Sequence, residues 1–150
     1  MTDQLITMLA AGIGSAGFAF FFNAKKSQIF YAAISGLLIS GIYLFLASQN
    51  DSILLDNMLC AMLVTAYAEI FARIMKAPSS VFLLPAIIPL VPGGFLYYGM
   101  YGLVTGENEV AWQNANATML TGLGIAMGIL VVSVIVSGID MIKSSNSLQE

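Results

Sequence analysis

From Ser80 to Val104 the chain carries no charged side chain, yet it holds Pro85, Pro89, Pro92 and the pair Gly93-Gly94. A stretch this apolar belongs in a bilayer, but it cannot cross as one straight helix. Proline in a helix interior removes a backbone donor and clashes with the carbonyl four residues back, costing about 3 kcal/mol. Hydrocarbon offers no water to satisfy the freed groups. A broken backbone therefore persists at membrane depth only where protein covers it or a wet cavity borders it. The segment predicts a membrane-spanning helix interrupted near its middle, and the interruption is a binding-site candidate.

The remaining sequence supplies the scaffold. Leu5 to Phe22, Ile29 to Ala47, Ile53 to Ile74 and Ala115 to Ile139 are each near the ~20 apolar residues that a spanning helix needs. With the interrupted segment they predict an all-α integral membrane protein of five spans, 5–22, 29–47, 53–74, 80–104 and 115–139. A polar tail over 140–150 should be flexible. Hydrophobic residues make up 59% of the 150, and charged residues only 9%. A soluble domain carries about 25% charged residues, so the deficit points the same way. One domain is expected by length. The N-terminus lacks the basic start of a signal peptide, so the first apolar run is expected to persist.

Small residues recur at helical spacing, as Gly12 with Ala16, Gly36 with Ser40, and Gly124 with Gly128. Such faces let helices approach closely, and the Gly124/Gly128 face is expected to receive a second subunit or another copy of the chain.

The five basic residues fix an orientation. With the N-terminus outside, five spans place Lys25, Lys26, Arg73, Lys76 and Lys143 on the inner side. The opposite segments, 1–4, 48–52 and 105–111, contain none. Cytoplasmic segments gather Lys and Arg, so the C-terminus is expected in the cytoplasm of a cell that holds this chain in its inner or plasma membrane. An odd number of spans also means that two such units in tandem would be inverted relative to one another.

Few side chains here can carry chemistry. Histidine is absent, Cys60 is the lone cysteine, and no dense carboxylate cluster is visible, which argues against a metal, a cofactor or an enzyme. Five scattered basic residues make no patch for nucleic acid. The candidates are therefore few. After the break a second half-helix should begin, its free N–H groups and partial positive charge facing the cavity. Pro85, Pro89, Pro92, Gly93 and Gly94 would shape that site. Tyr97 or Tyr98 would orient a ligand, whereas Tyr101 lies nearer the outer end. Glu69 and Arg73 stand at i and i+4, the favourable order for a helical ion pair. Glu69 is open to two roles: partner of Arg73 alone, or a coupling and gating carboxylate. Asn114, Asn116 and Thr118 are expected to bond between helices.

The run Glu69-Ile-Phe-Ala-Arg73, then Lys76-Ala-Pro78, then Pro85-Ala-Ile-Ile-Pro89-Leu-Val-Pro92-Gly93-Gly94-Phe-Leu-Tyr97 resembles the threonine/serine exporter family. Over nearly its whole length the chain is similar to the small subunit of split members, which corresponds to the family's C-terminal five-helix half. The resemblance implies export of small hydroxy amino acids or organic acids, together with a separately encoded larger five-helix subunit. The other reading open at this point is a non-transporting membrane scaffold or assembly subunit, its broken helix purely structural.

Overall fold

The computed structural model describes residues 2–49 and 52–146, with backbone alone from 143 onward. Part of the 48–52 turn and the last four residues of the tail lie outside the described residues. Six α-helices follow one another: α1 (Thr2–Phe21), α2 (Lys26–Gln49), α3 (Ile53–Met75), α4 (Ser80–Ile87), α5 (Gly93–Thr105) and α6 (Asn108–Asn146), with a 3₁₀ turn at Ile88–Leu90 after α4.

Local signals explain the helix ends. Asn23 takes a left-handed φ of 56°, and Ala24 donates back to the carbonyl of Ala19. Gln28 then accepts from the backbone N–H of Lys25 at 2.8 Å, a side chain reaching back to cap the start of α2. At the end of α3, Lys76 is left-handed (φ 49°), and both its N–H and that of Ala77 return to the carbonyl of Ala72. This satisfies carbonyls that the helix end leaves open, and Pro78 prevents continuation. Gly106, at φ 80°, makes the tight turn between α5 and α6.

Two antiparallel hairpins, α1–α2 and α5–α6, flank a central pair formed by α3 and α6. In the first, Gly12 faces the backbone of Ala33, and Gly36 faces Ser15 and the carbonyl of Ala11. In the second, Gly102 lies against the backbone of Ala111. The central contact is different in kind. Gly124 faces Asn57, Gly128 faces Ala61, and Arg73 binds Asp140. All three pairs are 67 residues apart in sequence, so α3 and α6 run parallel in a constant register.

That register decides how the interrupted segment crosses. Four helices are long and apolar enough to span, and the α4/α5 pair is bent by 48° at its break. Because α6 restarts at the same end as α3, the chain between them must return across the full thickness. The pair is therefore one broken span, not a re-entrant loop, and the fold has five spans.

Two expectations are corrected here. Helix α6 is 39 residues, about 58 Å, and begins and ends well beyond 115–139. Its polar ends continue the helix outside the apolar zone, and residues 140–146 are helical. Trp112 and Asp140 on it are about 42 Å apart, close to the full thickness of a bilayer with its headgroups. The second correction concerns the small-residue faces. A Cβ on Gly124 would lie 2.5 Å from the carbonyl oxygen of Leu54, and one on Gly128 2.5 Å from that of Met58. This face is filled by the chain's own α3 and is not open to a second subunit. The faces at Gly12 and Gly36 are likewise consumed between α1 and α2.

The packed interior surrounds α4. Ala86 and Leu90 meet Ile39, Cys60 and Val64, while Phe82 sits with Ala68 and Ala72. Lys25, Lys26, Arg73 and Lys76 share one end of the bundle, and Lys143 follows Asp140 on α6 toward the same end. Glu107 and Glu109 occupy the other.

Candidate functional site

The break begins with Pro89. The last turn before it tightens into the 3₁₀ turn, Val91 is extended (φ −62°, ψ 129°), and Pro92 caps α5. The first bond of α5 runs from Leu96 N–H to the carbonyl of Pro92, and Gly93 N–H donates to Val91. No side chain caps this end. Among the described residues the N–H groups of Gly94 and Phe95, in the first turn of α5, meet no side-chain cap, and with the helix dipole they favour an anion or a carboxylate. A Cβ on Gly93 or Gly94 would meet nothing within 4 Å, and both glycines are exposed, so the flank of the helix start is open.

Beside this start lies a cavity of about 280 Å³, bordered by Pro89, Pro92, Gly94 and Tyr98. Leu90, Val91 and Phe95 make much of its wall apolar, and Tyr43 from α2, Asn57 from α3, and Asn114 and Thr121 from α6 add polar groups. The volume falls just under the ~300–1000 Å³ of sites for drug-sized ligands, which suits a small metabolite. A larger hollow of about 610 Å³ lies between α5 and α6 toward Trp112. Its walls are mostly apolar, with Asn108, Trp112 and Thr118 carrying the polar side-chain groups, so it offers few donors to a charged ligand.

Among the residues singled out from the sequence, Pro89, Pro92, Gly94 and Tyr98 are brought together at this cavity, with Gly93 in the adjoining backbone. Pro85 is fully buried within α4. Tyr97 points elsewhere and is 65% exposed, its ring meeting Tyr98 edge-on at 5.3 Å. Glu69 and Arg73 are not part of the cavity: Glu69 lies twelve residues beyond Asn57 on α3, about 18 Å along the axis.

The i, i+4 ion pair expected on α3 is not formed. Arg73 instead places one guanidinium nitrogen 2.9 Å from each carboxylate oxygen of Asp140. Among the described residues this is the one ion pair, and Glu69, half-buried a turn away, stands outside it. Asn114 and Thr118 also differ from expectation. They donate to the carbonyls of Val110 and Asn114 on their own helix, not across to another.

Sequence reasoning missed Tyr43, Asn57 and Thr121. Tyr43 and Thr121 are polar residues within apolar runs, Asn57 follows Asp56 at the start of a span, and only the parallel register of α3 and α6 carries Asn57 and Thr121 to the break. Thr121 is 2% exposed, and among the described residues its hydroxyl oxygen has no hydrogen-bond partner.

A helical membrane protein with a span broken beside a polar cavity belongs to the architectural class of transporters, where discontinuous helices border substrate sites. A family model described as "Threonine/Serine exporter, ThrE" matches residues 7–135, and the chain belongs to this family. It is accordingly a membrane protein of the exporter class. No solved structure matches it.

Proposed function

We propose that the chain is one subunit of a two-component exporter of small carboxylate-bearing metabolites, threonine- or serine-like amino acids or organic acids. The substrate carboxylate docks at the start of α5, on the N–H groups of Gly94 and Phe95, and Tyr98 orients the ligand from the same side. The observation that carries this reading is an uncapped helix start opening onto a small polar cavity. The basic end faces the cytoplasm, N-terminus outside, in keeping with the distribution of Lys and Arg. The Arg73–Asp140 pair and Glu69 lie at that inner end, where they serve as gate and coupling group. The partner is a separately encoded larger five-helix subunit. Partial burial of the four unbroken spans, 33% at most, is in keeping with a chain that shares its sides with lipid and a partner.

The test is export from cells that carry the full locus. Gly93→Leu and Gly94→Leu fill the open space and should leave membrane levels normal while abolishing export. Pro92→Ala should heal the break in part and reduce export. Well-expressed leucine variants that export like the parent would leave the scaffold reading in front.

A further inference from the structure

Hydroxyls in helices often return to their own backbone, and several here do so at all depths, from exposed Thr7 and Thr105 to buried Thr65. Thr7, Thr65, Thr105 and Thr118 each donate to the carbonyl four residues earlier, at 2.7–3.0 Å. Thr121 does not, although it is 98% buried and sits in the wall of the cavity. An unsatisfied hydroxyl in a low-dielectric interior is costly, and replacing it by an apolar group of the same shape is neutral or favourable. Thr121 borders the cavity, and a threonine in a helix divides between two χ1 rotamers, so a χ1 rotation re-aims the oxygen. Among the described residues Ser15 is the other fully covered hydroxyl without a partner. It is wedged against Gly36 in the α1–α2 contact and borders no cavity, so it has no ligand to meet.

We propose that Thr121 is the specificity-determining residue of the site, its Oγ1 hydrogen-bonding the hydroxyl of the substrate. This rests on the reading that the carboxylate docks at α5. The two ends of the ligand are then recognised by different chemistry. The helix start holds the charge, as it would for any carboxylate. Thr121, with Asn57 and Asn114 beside it, distinguishes a hydroxylated ligand from its deoxy analogue. A site built to bond a hydroxyl penalises the ligand that lacks it, because the protein's own buried group is left unpaired.

The experiment compares export of L-threonine with that of L-2-aminobutyrate, which lacks only the hydroxyl, from strains with each variant at the native locus. Thr121→Val should lower the threonine-to-aminobutyrate export ratio at least about tenfold, while Thr121→Ser, which keeps the oxygen, holds it within about threefold. The melting temperature of purified Thr121→Val should be unchanged or raised. Overturning results are a Thr121→Val ratio within twofold of the parent, or equal loss of both exports with a lowered melting temperature. Gly94→Leu separates the two ideas. If it abolishes both exports while Thr121→Val leaves the ratio alone, the carboxylate site stands and this inference falls. If Gly94→Leu changes nothing, the carboxylate site falls, and Thr121 with it. A parent strain that exports neither compound overturns this inference, and the carboxylate site is then judged by Gly94→Leu on organic-acid export.

Discussion

Two glycines on α6, only two positions apart, should respond to the same substitution with opposite sign. Gly124 faces α3, where an added Cβ would lie 2.5 Å from the carbonyl oxygen of Leu54 and 3.2 Å from the Cβ of Asn57. Ordinary contact begins near 3.4 Å, so Gly124→Ala must push the helices about 0.9 Å apart. Overpacking of this kind costs about 1–3 kcal/mol. Gly122 has nothing within 4 Å of the same built atom. Alanine there gains helix propensity, up to about 1 kcal/mol, with no clash. The propensity term is common to both variants, so their difference isolates the contact at about 1–3 kcal/mol. Gly128→Ala should resemble Gly124→Ala, since its Cβ would meet the carbonyl oxygen of Met58 at 2.5 Å. The double variant should cost less than the sum, because parting α3 from α6 relieves both clashes at once. Reversible unfolding in mixed micelles measures these differences. Equal shifts for Gly122→Ala and Gly124→Ala, within about 0.5 kcal/mol, would refute the parallel α3–α6 contact.

Other expectations follow from single residues. Arg73 and Asp140 are each about half exposed, so a double-mutant cycle with Arg73→Gln and Asp140→Asn should give a coupling of about 0–1 kcal/mol. The same cycle with Glu69→Gln in place of Asp140→Asn should give a smaller value, and a larger one would restore the i, i+4 pair. Cys60 is wholly buried, so thiol reagents should label it only after denaturation; labelling of the folded protein would place it wrongly. In a Cys60→Ala background, an impermeant thiol reagent applied to intact cells should label Asn108→Cys and spare Ser27→Cys, and the reverse pattern would invert the orientation.

Much of the architecture is legible in the sequence because hydropathy and proline act locally. Five apolar runs give five spans, and Pro89, Pro92 and Gly93 mark the break where the backbone opens. What is not legible is long-range. Gly124 and Gly128 read as a face for close approach, but spacing alone does not say that α3 of the same chain fills it. Arg73 has a carboxylate one turn away on its own helix, yet binds one 67 residues distant, because the register of α6 presents Asp140 at its level. The extent of α6 escapes hydropathy for a simpler reason: a helix does not stop where the bilayer does. The proline and glycine half of the cavity is visible from sequence, but its polar half is not. Tyr43, Asn57 and Thr121 belong to three different helices, and although Asn57 stands out beside Asp56, nothing local says that the three converge.

The parallel pairing of α3 with α6 bears on how the protein is made. At about 5–20 residues per second, synthesis delivers the matching face of α6 roughly 3–13 s after that of α3. Hairpins α1–α2 and α5–α6 join consecutive elements and can close as each pair enters the membrane. The flank of α3 at Leu54 and Met58 has no such neighbour and waits in lipid until the last helix arrives. Insertion thus ends with a docking event that the earlier helices cannot anticipate. A chain halted near residue 106 would carry the broken span but not Asn114 or Thr121, leaving the cavity without a wall. Incomplete chains should therefore fail as a class, and be recognised for removal by the bare face of α3.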